Sequence, residues 1–163
     1  MHGPEGIEFT EEKQIEMSKI FWIILAFFSG AFLPIQAGLN AKLGKAGGSA
    51  VYASMISFVV GTIALVLYII LTRQTVSWTG IKEAPAYVWV GGLLGAFYVT
   101  VIILAFPRLG PGLTFGLVVG GQMILSALLE HFNILVSQPH AINLPRLAGI
   151  ILVIAGVVII RKF

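Results

Sequence analysis

The sequence predicts an all-α, polytopic membrane protein with five transmembrane helices. Composition is the first reason. Apolar residues make up 58% of the 163-residue chain, charged residues 10%, and Asp is absent. A soluble domain carries about 25% charged residues, so this chain lacks the polar surface that water requires. Length of run is the second reason. Five apolar stretches stand at residues 20–40, 50–72, 87–106, 112–130 and 144–160, and a helix needs about 20 such residues to cross hydrocarbon. Barrel strands are about 10 residues long and alternate apolar with polar, which excludes that architecture.

The stretch 1–19 precedes the first run. It holds Glu5, Glu8, Glu11, Glu12 and Glu16, and the run behind it is too long for the apolar core of a signal peptide. Two readings stand: a solvated tail, or a short interfacial helix from Thr10. In the second, Thr10 caps, Glu11 and Glu12 sit in the first turn, and Ile15 and Met17 rest on the bilayer. The first run carries Ala26, Gly30, Pro34 and Gly38 in one row. Pro34 removes a backbone hydrogen bond, so it marks either a hinge or a static packing notch. Gln36 and Asn40 close the run one turn apart, with Lys42 behind them. They read as a cavity mouth shared with Tyr52 or Tyr98, or else Asn40 is a helix cap and Lys42 an interface anchor.

Small residues at a spacing of four let helix backbones approach closely. The second run has Ala53, Ser57 and Gly61; the third has Gly91 and Gly95; the fourth has Gly112, Gly116 and Gly120. The fifth run is the shortest, and Arg146, Arg161 and Lys162 at its ends snorkel to the interface. Before it, Phe132, Ile134, Leu135 and Val136 suit an interfacial dip. Pro139 and Pro145 exclude one continuous helix there, and Pro145 fits the first turn of the fifth helix.

The fourth run also carries a polar stripe. Gln122, Ser126 and Glu130 follow at a spacing of four, and Gly120 points roughly 160° away from Gln122 at about 100° per residue. Gln122 lies near the bilayer midplane, where polar side chains are costly and face a cavity or a partner. Glu130 lies about 12 Å further along the axis, close to the headgroups. It reads as a gate or proton site beside His131, or as a solvated helix end.

The ten Lys and Arg residues divide evenly. Five crossings place Lys13, Lys19, Arg73, Lys82 and Arg146 on one side, and Lys42, Lys45, Arg108, Arg161 and Lys162 on the other. Orientation follows the bias of such residues near helix ends, and here the bias is zero. A chain with no preferred direction is suited to inserting both ways and pairing with its inverted copy.

Enzyme chemistry finds no footing. Without Asp there is no Ser/His/Asp set, and His2, His131 and His140 have no metal-ligand spacing. Gly38 to Lys45 brushes a phosphate-loop pattern, but the glycine spacing is one too long and Ala46 stands where Ser or Thr is needed. With no Cys there is no thiol chemistry. The basic isoelectric point of about 9.4 reflects interfacial anchors rather than a nucleic-acid surface. No enzyme activity, cofactor, metal or nucleic-acid partner is expected.

The fifth run, from Gly149 to Gly156 and Val157, resembles the last helix of small multidrug resistance transporters. The remaining segments are more similar to the YdcZ-like family of the drug/metabolite transporter superfamily. These are residues 36–44, Ser57 to Gly61 and Thr62, Gly91 to Gly95 with Tyr98, Pro107 to Gly110, and Gly120-Gly121-Gln122 with Ser126 and Glu130. The resemblance covers the chain from about residue 20 onward. It implies a multi-pass protein of the inner membrane, a five-helix half-transporter that works as an antiparallel homodimer, with a paralogue, or within a fused gene. One departure is plain. Small multidrug resistance transporters carry a Glu in their first helix that binds cationic drugs and protons, whereas this chain has Gln36 and Asn40.

The expectation is a secondary transporter of small metabolites or drug-like solutes, acting by alternating access between two inverted units. Gln122, Gln36, Asn40, Tyr98, Ser126 and Glu130 line the path. Gly149 and Gly156 serve the dimer contact, Gly112, Gly116 and Gly120 serve packing, and Pro34 is the hinge. The partners are the bilayer, an inverted or paralogous copy and a small-molecule substrate. The alternatives are an obligate heterodimer subunit and a membrane scaffold that does not transport.

Overall fold

A computed structural model describes residues 4–136 and 140–163. They form α1 (Pro4–Ala46), α2 (Ala50–Thr72), a short α3 (Trp78–Glu83), a 3-10 turn (Ala86–Trp89), α4 (Val90–His131) and α5 (Leu144–Lys162), and among the described residues there is no strand. The all-α membrane class read from the sequence is therefore the class of the protein. Pro139 falls outside the described residues.

The chain divides into two compact units, one running to Gln36 and the other from Ala37 to Phe163. In the first unit, α1 starts at Pro4 and continues without a break. The separate short helix expected from Thr10 is thus absorbed into one longer helix. Side chains of residues 1–13 and 15, including those expected to cap or to rest on the bilayer, lie outside the described set. Every side chain from Glu16 to Phe32 is exposed, and most are apolar. A helix that is apolar on all sides belongs in hydrocarbon.

In the second unit, α1 ends at Ala46 and the chain turns through Gly47, Gly48 and Ser49. Gly48 takes φ 69°, a value that glycine adopts at no steric cost. Ser49 has extended backbone and its Oγ accepts a bond from the Tyr52 N–H at 3.3 Å, which caps α2. At the other end of α2, Arg73 takes a left-handed conformation and its N–H returns to the carbonyls of Ile69 and Ile70. Asn143 caps α5 by accepting from the Arg146 N–H at 3.0 Å, with Pro145 in the first turn.

The third and fourth apolar runs share α4. The apolar stretch from Ala86 to His131 has 46 residues and would be about 69 Å long as a straight helix, more than twice the roughly 30 Å of hydrocarbon. It breaks at Gly110, whose φ 77° and ψ 163° are non-helical, between Pro107 and Pro111. Phe106 and Phe115 show that the chain folds back there. Their ring centroids are 6.4 Å apart, edge to face, whereas nine residues of straight helix cover about 13.5 Å. We call the halves α4a (90–109) and α4b (111–131). The five spans are therefore α1, α2, α4a, α4b and α5.

Backbones meet where small residues permit. Gly44 lies against Ala50, Ala53 and Ile103, and Gly95 against the Phe58 ring. Gly112 receives Ile160, and Gly116 receives Val157. The buried apolar residues are few and mostly small: Ala37, Ala53, Ile102, Ile103, Ala127 and Val157. Nearly all large apolar side chains face outward, so lipid or another chain must cover them.

Candidate functional site

Asn40 is buried, and its Nδ2 donates to Ser57 Oγ at 3.1 Å. The helix continues six residues past it to Ala46, so Asn40 is not a cap. It ties the end of α1 to α2. Ser57, placed by the sequence on a packing row, is its partner. Tyr52 is exposed and does not share this bond. Gln36 is exposed on the first unit, and Tyr98 is half-buried on α4a.

The stripe on α4b is present as a local feature. Ser126 Oγ donates to Glu130 Oε1 at 3.5 Å. The second oxygen of Glu130 is bonded and ion-paired to the Arg146 guanidinium at the start of α5. Glu130 is thus a paired carboxylate joining two helices rather than a merely solvated helix end. Arg146 also donates to the carbonyl of His140, and His131 Nδ1 accepts from the Ile142 N–H at 3.3 Å. These bonds tie the connection to both helices. A small cavity of about 200 Å³ opens beside the pair, bordered by Met123, Ser126, Ala127 and Gly149.

Sequence reading placed Arg146 as an interface anchor and missed its partner. A usable signal was present. Glu130 ends one span, Arg146 opens the next, and a short connection makes consecutive helices neighbours. Gln122 stands apart from this cluster. It is exposed near the middle of α4b, while Gly120 on the opposite side is buried; a methyl group at Gly120 would nonetheless meet nothing within 4 Å, so it makes no close helix contact of the kind expected for the packing row.

Among the packing glycines, Gly112 and Gly116 work within the chain, against α5. A methyl group added at Gly149 or Gly156 would meet nothing within 4 Å. Among the described residues there is no group of three His, Cys, Asp or Glu side chains able to hold a metal. The arrangement offers an amide at mid-helix and a carboxylate–guanidinium pair near one helix end. An amide can both donate and accept hydrogen bonds, and a carboxylate–guanidinium pair joins through charge-assisted ones.

The family model described as "Putative inner membrane exporter, YdcZ" matches residues 21–159. The chain belongs to the YdcZ family. The match spans all five helices, and it makes the chain a membrane transport protein of the inner membrane. YdcZ membership agrees with apolar helices of spanning length and with the segments that carried the resemblance. No curated protein and no solved structure matches the chain.

Proposed function

We propose that this YdcZ-family chain is half of a secondary transporter for small metabolites or drug-like solutes. An inverted copy completes it, and the two alternate access to a site between them. The exposure of Gln122 carries this reading. Its amide has four hydrogen-bonding positions and lies mid-helix, flanked from Phe115 to Leu125 by apolar residues and glycine alone. A group of this kind at depth costs several kcal/mol unless a cavity or partner satisfies it. A single chain leaves it uncovered, whereas two inverted chains bring two such amides together near the midplane, where inverted-repeat transporters place substrate. The even division of Lys and Arg supports both insertions.

The native chain has no Cys, so single thiols test the arrangement cleanly. Gln122→Cys should cross-link to itself with a short bifunctional reagent. Gly47→Cys should not, because inverted copies hold residue 47 on opposite faces, about 30 Å apart. In cells, a membrane-impermeant label applied from one side should reach residue 47 in about half of the molecules, as expected without charge bias. Cross-linking at 47 without cross-linking at 122 would overturn the inverted pair.

A further inference from the structure

At the end of the second unit opposite Glu130, a groove of about 990 Å³ lies between the end of α1, the start of α2 and the reversal of α4. Its volume is that of a site for a small molecule. Three of its bordering residues are charged, and all three are cations: Lys42 and Lys45 from α1, Arg108 from α4a. No acid borders it. The acids of the second unit are Glu83 and Glu130; Glu83 lies beyond the far end of α2, and Glu130 is about 28 Å of helix away from Pro111. Among the described residues, the one ion pair is Glu130 with Arg146, so the three cations border the groove without carboxylate partners. Arg108 donates one N–H to the Leu104 carbonyl, which holds its guanidinium against α4a and leaves further donors of its five. Helix α1 ends and α2 begins at this rim, so their dipoles oppose one another and the side chains dominate the field. Apart from Ser49, the rest of the wall is apolar or glycine, with Ile103, Leu104, Phe106, Pro107 and Pro111 among it.

Anchoring at the interface does not require this convergence. A snorkelling cation needs only the phosphate plane, whereas these three come from two elements and border one space. Such a space matches a molecule with an anionic head and an apolar body. We propose that the groove is a binding site for an amphiphilic organic anion. Lys42, Lys45 and Arg108 hold its carboxylate or phosphate head, and the Phe106 and Pro107 wall holds its body. This rests on the transporter reading only for the step from ligand to cargo. The groove lies within one chain and binds whether or not the inverted pair forms.

The experiment is a calorimetric titration of purified protein in a neutral detergent, where orientation in the membrane plays no part. Naphthylacetate is compared with naphthylmethylammonium, an apolar body of the same kind with the opposite charge. Saturable binding of the anion alone is expected, weakened about tenfold by Lys45→Gln or Arg108→Gln, as the loss of one charge-assisted hydrogen bond implies. Equal binding of anion and cation, or affinity unchanged in both variants, would overturn the site. Repeating the titration in phosphatidylcholine nanodiscs with and without phosphatidylglycerol identifies the source of the head. Competition by phosphatidylglycerol supports the anion site and assigns it to lipid; its absence supports it and assigns it to a soluble solute. Anion binding by a protein that fails the cross-linking test would leave the groove standing and remove the inverted pair.

Discussion

Gly116 has the tightest surroundings of the glycines that face α5. A methyl group there would lie 3.0 Å from Val157 Cγ2, inside ordinary contact distance. Gly116→Ala should therefore cost about 1–3 kcal/mol, the range for overpacking a fitted contact. Thermal unfolding in detergent reads that loss. Val157→Ala added to it should restore part, because the two residues share one contact and their effects do not add. Asn40 teaches a different lesson at the same scale. Its position near the end of an apolar run was legible, and so was its polarity, but its partner was not. Ser57 is 17 residues away, and sequence carries no distance. Glu130 and Arg146 were each placed by sequence near a membrane face, without reference to one another. Their pairing depends on how α4b leans on α5, which Gly112 and Gly116 decide.

The element with the most to say is α4. Pro107, Gly110 and Pro111 marked the end of one run and the start of another, and the structure breaks the helix at Gly110. The break needs glycine. The pair φ 77°, ψ 163° lies in a region that residues with a Cβ hardly enter, at a cost of about 1–3 kcal/mol. Gly110→Ala should lower the melting temperature accordingly, and Gly110→Asn should not rescue it, since Asn tolerates the left-handed helical region rather than this one. Equal stability of Gly110→Asn and the parent would show that the backbone there relaxes. Boundaries were less legible than existence. The first run was placed at 20–40, yet α1 extends to Ala46. Lys42 and Lys45 look like loop residues in a hydropathy count but are good helix formers, and only the glycine pair at 47 and 48 stops the helix.

At the scale of the molecule, the small buried core is the governing fact. One chain cannot hide its mid-helix amide or fill the space beside Gly149 and Gly156. If an inverted copy seats on that face, the Gly149→Leu, Gly156→Leu double variant should shift the protein from dimer to monomer in detergent, read by light scattering. An unchanged dimer would place the contact elsewhere. Five spans and their membrane class followed from composition because hydrocarbon imposes length and polarity on every helix it touches. The site did not follow in the same way. Polar side chains can be ranked by depth from sequence, but the groove at Lys42, Lys45 and Arg108 arises from residues more than 60 positions apart.

The reversal at Gly110 also bears on how the protein is made. A single residue between two spans leaves almost no loop to be threaded separately, so residues 90–131 have the form of a helical hairpin suited to entering the bilayer as one unit. A hairpin returns the chain to the side it left, whichever side that was. Its two crossings cancel, and Arg108 at its tip is the one cation by which it weighs on sidedness. In an inverted pair of the kind proposed above, the two copies would carry their hairpin tips, and Arg108 with them, on opposite faces of the bilayer.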